Sequence, residues 1–482
     1  MRDDIIQERL KKRKNLESAG YRVYPARVKR THKVIEALDK FTALARAGRK
    51  ITITGRVVSL RKQGNIIFAH VQDMSGKMQV MLKRDLLKDF KIWKTNLDMG
   101  DFVAVSGVLF KTKSGEKSIE TKNFHIIAKS IRPIPTEFYG LKDTETRLRK
   151  RYLDLLANPE ERELFVKKSR FWKSIRDFLE REDFLEVQMP VLEAIPGGAE
   201  AEPFTTHYNA LDEEFYLRIS LELPLKRLMV AGFERVYEIG HIFRNEGISA
   251  EHLQDYIQME MYWAYEDYTT LMKFMEKMYK KTIKATVGGL ITEHNGRKID
   301  WSKKWRVYDY KTIFKKESGL DPLSATKDEL LRKAKTFGVN RATAELNRGR
   351  LIDLIFKNTA RPKLIQPGFL IDPPMDIEPL AKRKEDDPRR VERFQIVAGG
   401  TELGKGFSEL NDPVDQRRRF EEQMKLRAAG DKEAQMIDED YIEAMEYGMP
   451  PTAGFGLSER LFAVLMNRPI REATIFPIMR RK

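Results

Sequence analysis

The chain has no cysteine, which excludes disulfides, thiolate metal sites and a cysteine nucleophile and fits a reducing compartment. Its 7 histidines are scattered, with no HxxxH or HExxH pair to give zinc a home. Apolar runs are short: none approaches the roughly 18 residues needed to span a bilayer, and residues 1–15 are densely charged rather than signal-like. Also missing are the G-x-G-x-x-G and G-K-[ST] loops and the regular βαβ alternation of parallel-sheet nucleotide folds. Internal repeats and low-complexity tracts are absent as well. These absences describe a soluble, cytoplasmic protein that stands on core burial without staples. At 482 residues, that core is expected to be divided between two or more domains.

Acidic residues are scarce in one region only. Residues 1–132 carry 30 Lys and Arg against 13 Asp and Glu, a net of +17, which leaves 59 against 59 for the remainder. All the excess positive charge therefore sits in the first quarter, the electrostatic footprint of a nucleic-acid arm. A solubilising basic surface is the alternative. Residues 1–50 read as a charged helix (RDDIIQERLKKRKNLESAG) and a basic arm. Residues 51–132 change period, with five short β-branched runs punctuated by Gly64, Ser75-Gly76, Gly100 and Ser114-Gly115 and one helical interruption near 84–94. That pattern suits a small closed barrel of the oligonucleotide-binding kind. Phe68 and Gln79 fall on neighbouring strands, placed to stack on an unpaired base and bond its edge, although Phe68 also reads as core.

Pro133 and Pro135 mark a linker over 133–152, and a larger domain fills 153–482, opened by a helical apolar pattern (Phe165, Trp172, Ile175, Leu179). An antiparallel sheet flanked by helices is expected there, giving an α+β chain. The polar stretch 293–350 reads as helical and peripheral. The most informative segment of the larger domain is FRNEGISAEHLQDYIQMEMYWAYEDY (243–268), where Arg244, Glu246, Gly247, His252 and Tyr256 crowd a polar loop between aromatic runs. Arg244 offers a planar donor fork for phosphate or carboxylate and Tyr256 a flat face for a purine; a strand-loop-strand with a solvated tip is the bland reading.

Four further segments accompany that loop: FLEVQMPVL with Pro190, YLRISLELPLKRL with Arg218 and Glu222, RFQIVAGGTELGKGFSELNDP from Arg393, and GMPPTAGFGLSERLF with Arg460. In this order the large domain resembles the catalytic domain of class II aminoacyl-tRNA synthetases, the first, second and third motifs being FLEVQMP, FRNE and the glycine-rich turn before Arg460. RYLDL, IPGGA, LPLKRL, FERVYEIG, FRNEGIS, PKLIQP, PLAKR, FSELNDP and PPTAG are similar to the lysyl-tRNA synthetase family in particular, and the barrel matches that family's anticodon-binding domain.

The resemblance implies a lysine–tRNA ligase using ATP and Mg2+, with tRNA and L-lysine as partners and a homodimer built on the first motif. Activation brings two anions together, so an arginine must bridge them and a metal must neutralise the leaving pyrophosphate. Carried over residue by residue, Arg244 is the bridging arginine. Glu246 and His252 join the ATP site, and Tyr256 and Arg460 sandwich adenine. Gly198 and Glu222 meet the α-ammonium, with Glu260 and Lys405 alongside. Tyr262 and Glu409 hold the side-chain ammonium, which cannot be buried unpaired, and Phe407 walls the methylenes. Glu402 is a magnesium ligand, with Gln395 beside it. Phe68, Gln79 and Glu116 read the anticodon.

Four positions depart from the family pattern. Gln395 replaces a second acid, Lys405 an asparagine and Glu251 an arginine for the γ-phosphate, and GFGLSER is one residue shorter than the usual turn. Three other functions stay open: adenylate transfer to a protein or lipid, tRNA binding without activation, and an aspartyl or asparaginyl ligase.

Overall fold

The computed structural model describes residues 2–134, 143–247, 252–337, 346–431 and 433–480. The chain divides into two compact units, Met1–Asp143 and Thr144–Lys482.

In the first unit, β1 (Ile51–Gln63), β2 (Ile66–Gln72), β3 (Lys77–Lys83), β4 (Phe102–Lys111) and β5 (Lys117–Ala128) close into a barrel in the order β1-β2-β3-β5-β4. Along β1 and β2, buried and half-exposed residues alternate, so Ile51, Ile53, Val57, Ile67, Ala69 and Val71 point inward. The helical interruption is Phe90–Asn96, later than the sequence pattern placed it, and Phe90 and Trp93 join the barrel core. The basic helix Arg2–Ser18 has no continuous apolar stripe; Leu16 is buried in the barrel core, and polar contacts hold the rest. Arg9 donates to the Ser130, Arg132 and Met99 carbonyls, and Lys12 pairs with Asp98 at 2.7 Å.

Two sequence expectations change in the second unit. Part of the expected linker, 135–142, lies outside the described residues, but the chain is already helical over Thr144–Arg149 and Arg151–Ala157. Leu148, Arg151 and Asp154 are buried there, and Arg151 meets Asp154 at 2.7 Å, so 144–152 is part of the larger unit rather than linker. The stretch 293–350 is not uniformly helical. It begins in a hairpin, Ile291–His294 against Arg297–Asp300, and gives an edge strand, Arg306–Asp309, before its helices.

An eight-stranded sheet organises this unit. Its order is Arg306–Asp309, Gly368–Ile371, Arg393–Ala398, Thr401–Ser408, Thr452–Ser458, Asp255–Ala264, Arg235–Phe243 and Leu185–Glu186. The six inner strands pair antiparallel and the two edge strands parallel. Pro190 stands just beyond a strand that has shrunk to Leu185–Glu186, with Val187 still bonding Tyr237 O at 2.9 Å. The long helices Pro159–Arg181 and Tyr268–Val287 pack their apolar faces onto the sheet and bury Phe171, Ile175, Leu271, Met275 and Tyr279. No helix among the described residues is long and apolar enough to cross a membrane.

Candidate active site

The antiparallel sheet brings together segments far apart in sequence. A cavity of about 610 Å³ opens over its centre, lined by Gly198, Glu222, Arg244, Glu246, His252, Tyr256, Glu260, Tyr262, Gln395, Glu402, Lys405, Phe407, Glu409 and Arg460. Every site residue that the sequence suggested for the large domain is in that lining. Glu251 falls outside the described residues.

Arg244, Tyr256 and Arg460 form one part of that lining. Arg244 follows strand Arg235–Phe243; its Nε donates to Ile219 O at 3.2 Å, and its guanidinium lies 5.9 Å from the centre of the Tyr256 ring. Burial raises the Tyr256 hydroxyl, and the cations of Arg244 and Arg460 oppose that rise, so both charges are felt at one ring. With the shortened third motif, Arg460 still lines the cavity. Strand Thr452–Ser458 passes within two residues into helix Arg460–Leu465, leaving Arg460 in its first turn, donating to Glu402 O at 3.4 Å. His252 is exposed at the rim.

On the Arg393–Ala398 and Thr401–Ser408 hairpin Gln395 lies opposite Lys405 and Glu402 opposite Val397, and the Gln395 amide reaches diagonally to donate to Glu402 Oε2 at 2.6 Å. The pair thus presents one carboxylate rather than two. Among the described residues no group of three acids or histidines is gathered for a metal. A single carboxylate suits a hard ion that keeps several waters and leans on substrate phosphates.

Glu222, Glu260 and Glu409 form an acidic, buried part of the lining. Glu409 is 1% exposed, and its Oε1 has no hydrogen-bond partner. Gly454 lies against it: a Cβ there would stand 2.1 Å from Glu409 Oε1 and 2.5 Å from Tyr262 Cε1, so any side chain would fill the space. Gly198, at φ +83°, is similarly constrained, a Cβ meeting Glu222 Cβ at 2.8 Å. Glu260 is a brace. Its Oε1 accepts from Ser220 Oγ (2.7 Å), Leu221 N (3.1 Å) and Gln258 Nε2 (2.5 Å), and its Oε2 from the Tyr262 hydroxyl (3.1 Å).

Several charged residues at the site escaped the sequence reading. Lys226, one helical turn after Glu222 on helix Glu222–Val230, is fully buried and donates to Glu222 Oε1 at 2.6 Å while also pairing with Glu409. Its signal was a lysine four residues from an acid in an otherwise apolar turn. Glu378 accepts from Lys405 Nζ at 2.9 Å, and Arg393 stands 3.5 Å from the same oxygen. The sequence marked Lys405 but not its association with Glu378 and Arg393. Asn347 and Arg350, from the stretch expected to be peripheral, also reach the cavity. Arg218 does not line it; its guanidinium bonds Glu238, His241 O and Met189 O and fixes the neighbouring strand.

In the barrel, Phe68, His70, Gln79 and Met81 share the outer face of β2 and β3, with His70 opposite Gln79. Phe68 is half-buried beneath Arg61, 5.4 Å away. The Gln79 amide is buried and donates to Ser118 Oγ at 2.7 Å, so it is held rather than free. His70, unmarked in the sequence, bridges Ser59 Oγ (2.7 Å) and Glu116 Oε1 (2.9 Å) and so gathers Glu116 to that face.

A family model described as tRNA synthetases class II (D, K and N) matches residues 143–480, and one described as an OB-fold nucleic acid binding domain matches 51–134. Among curated relatives, the lysine–tRNA ligase of Moorella thermoacetica is 42% identical over 485 residues, covering 100% of this chain and 98% of its own. The same-named proteins of Halalkalibacterium halodurans (41% over 490 residues; 100% and 97%) and Carboxydothermus hydrogenoformans (42% over 484; 99% and 98%) are similar throughout. Full-length similarity at that level, together with the sheet and its single convergent cavity, leads to one conclusion: the chain belongs to the class II tRNA synthetases and, within them, to the lysine–tRNA ligase family.

Proposed function

We propose that this protein activates L-lysine with ATP, giving lysyl-adenylate and pyrophosphate, and transfers the lysyl group to the 3′ end of tRNA. The observation that carries the reading is one cavity that gathers Arg244, Tyr256 and Arg460 together with the buried acids Glu222 and Glu409. Tyr256 and Arg460 would hold adenine between a ring and a guanidinium plane. Arg244 would neutralise the α-phosphate and the attacking carboxylate together. Lys405, steadied by Glu378, adds a cation for that carboxylate. Glu409 Oε1 would take the side-chain ammonium, with the Phe407 ring along the methylenes and Glu222 and Gly198 at the α-ammonium. No side chain serves as a covalent nucleophile; positioning and charge stabilisation carry the reaction.

Magnesium would sit on Glu402, with Gln395 as a neutral neighbour, and when bound with ATP it supplies charge for the phosphates. In the barrel, Phe68 would stack an anticodon base beside Glu116, and Gln79, fixed by Ser118, would offer its amide oxygen. Exposed Leu185, Val191 and Leu192 around the first motif suit a homodimer interface, and the setting is the cytoplasm.

The test is ATP–pyrophosphate exchange with each of the twenty amino acids, followed by charging of tRNA. Exchange with lysine and lysyl-tRNA formation are expected. Exchange with aspartate or asparagine in place of lysine would refute the reading, because neither brings an ammonium to Glu409.

A further inference from the structure

Behind the acidic part of the cavity lining, one buried ammonium serves two buried carboxylates. Lys226 Nζ donates to Glu222 Oε1 at 2.6 Å and pairs also with Glu409 Oε2. Both acids line the cavity; Lys226 does not. Its side chain is 0% exposed, so it touches the acids from within the protein and leaves the substrate side clear. Two carboxylates facing one cation leave one negative charge unmatched, and in a buried site such a charge is costly. The place of the mismatch is visible. Glu409 Oε1 is buried, lacks a hydrogen-bond partner and stands beside Tyr262 and the bare backbone of Gly454.

The other groups around Lys226 do not relieve the mismatch. Glu260 on strand Asp255–Ala264 accepts four hydrogen bonds of its own. Tyr262 on that strand and Tyr441 on helix Glu439–Glu446 are held neutral by burial, which raises both hydroxyls. The Phe407 ring lies 5.4 Å from Lys226 Nζ; Lys405 and Arg393 share Glu378 at 2.9 Å and 3.5 Å, and Lys405 works to lower Glu222 without reversing its rise.

We propose that Lys226 is a specificity-determining positioning residue: it matches one of the two acids, so the empty pocket is one cation short and keeps a proton there, which the substrate's ammonium displaces. This rests on the lysine-activating reading above. The exchange balances, because the carboxylic acid loses its proton to solvent and the resulting carboxylate takes the ammonium. A neutral side chain of the same length brings no cation to the mismatch and is refused, while the resident lysine prevents the pocket from needing two.

The electrostatics agree with this geometry. Burial raises Glu222 to about 7 and Glu409 well above the usual carboxylate range, with Lys226 opposing the rise at both. Lys226 is itself disfavoured by burial, but the acids outweigh that and keep it charged. Raised acids are protonated at low pH, so lysine should bind more weakly in acid and more tightly as pH rises and the carboxyls give up their protons.

The experiment measures KM for lysine and for ATP in pyrophosphate exchange between about pH 6 and pH 8.5, for the full chain and for Lys226→Met and Lys226→Arg. Without the resident cation both acids hold protons more tightly. Lys226→Met should therefore show a lysine KM at least tenfold above the parent near pH 6.5, shrinking to threefold or less by pH 8.5, with ATP KM unchanged. Lys226→Arg should follow the parent profile. A variant-to-parent ratio that stays constant with pH would overturn the proposal, since a merely structural loss has no reason to titrate. If Lys226→Met does not fold, calorimetry of lysine binding to the parent protein in two buffers of different ionisation enthalpy decides. Release of a sizeable fraction of a proton per lysine near pH 6.5 is expected, and none at any pH would refute the idea. Absence of lysine-dependent exchange in the parent would instead remove the ligase reading on which this rests.

Discussion

At the scale of single residues, the acidic part of the cavity lining is the most sensitive region of the molecule. Glu409 is 1% exposed and already partnered by Lys226, so Glu409→Gln breaks a buried ion pair as well as the proposed ammonium site. Breaking such a pair is typically worth about 3 kcal/mol or more, and lysine KM should rise roughly 100-fold while ATP KM stays within about threefold. A parallel rise in both KM values would mean that the carboxylate supports the site as a whole rather than one substrate. Lys405 and Glu378 provide a second case. Each is charged, Glu378 is buried, and their separation is 2.9 Å, so removing Glu378 takes the acid from Lys405, and removing Lys405 leaves Glu378 with Arg393 at the longer distance of 3.5 Å. Lys405→Asn and Glu378→Ser should each impair lysine-dependent exchange more than the double variant does. The coupling expected from such a cycle is about 1 kcal/mol or more, and additive losses would show that the two residues act independently. Lys405 was legible in the sequence as a departure from the family pattern, but Glu378 was not, because their partnership spans two chain segments.

At the scale of elements, the sheet sets the geometry and the helices hold it in place. Helix Tyr268–Val287 packs against the strands that carry Glu260, Tyr262 and Glu402, and its first turn is closed by Asp267, whose carboxylate accepts from Thr269 N and Thr270 N, both at 2.9 Å. Asp267→Ala should cost about 1 kcal/mol and lower Tm by a few degrees. Partial burial works to raise the Asp267 carboxyl, but the N–H donors of Thr270 and Thr269 outweigh it and hold the group below its ordinary value. The stabilisation is therefore complete above the usual aspartate range and lost as pH falls through the lower, folded-state value. Thermal melts of parent and Asp267→Ala should differ at neutral pH and converge in strong acid. A difference that persists there would contradict the capping account. Elements were read unevenly from the sequence. The barrel strands were plain because alternation with β-branched residues has few competitors, whereas the hairpin at Ile291–Asp300 and the edge strand Arg306–Asp309 are short, polar and set by their neighbours.

At the scale of the whole molecule, charge is distributed by domain. The net +17 of residues 1–132, beside a balanced remainder, predicts that tRNA binding weakens linearly in log–log form with added salt. Lysine-dependent exchange without tRNA should respond far less, because its ion pairs are buried and poorly screened. Filter binding and exchange assayed across the same salt series would compare the two, and equal sensitivity would count against the basic first unit as the nucleic-acid surface. The sequence by itself determined the division of charge, the barrel, the α+β class and the motif residues that line the cavity, because these rest on composition, local period and motif strings. Tertiary structure alone decided which charges neutralise one another. Lys226 lies four residues from Glu222 but 183 positions from Glu409, and Lys405 is 27 positions from Glu378. Pairing over such separations depends on strand order and register, and in a buried site it governs whether a charge is available to a ligand or already satisfied.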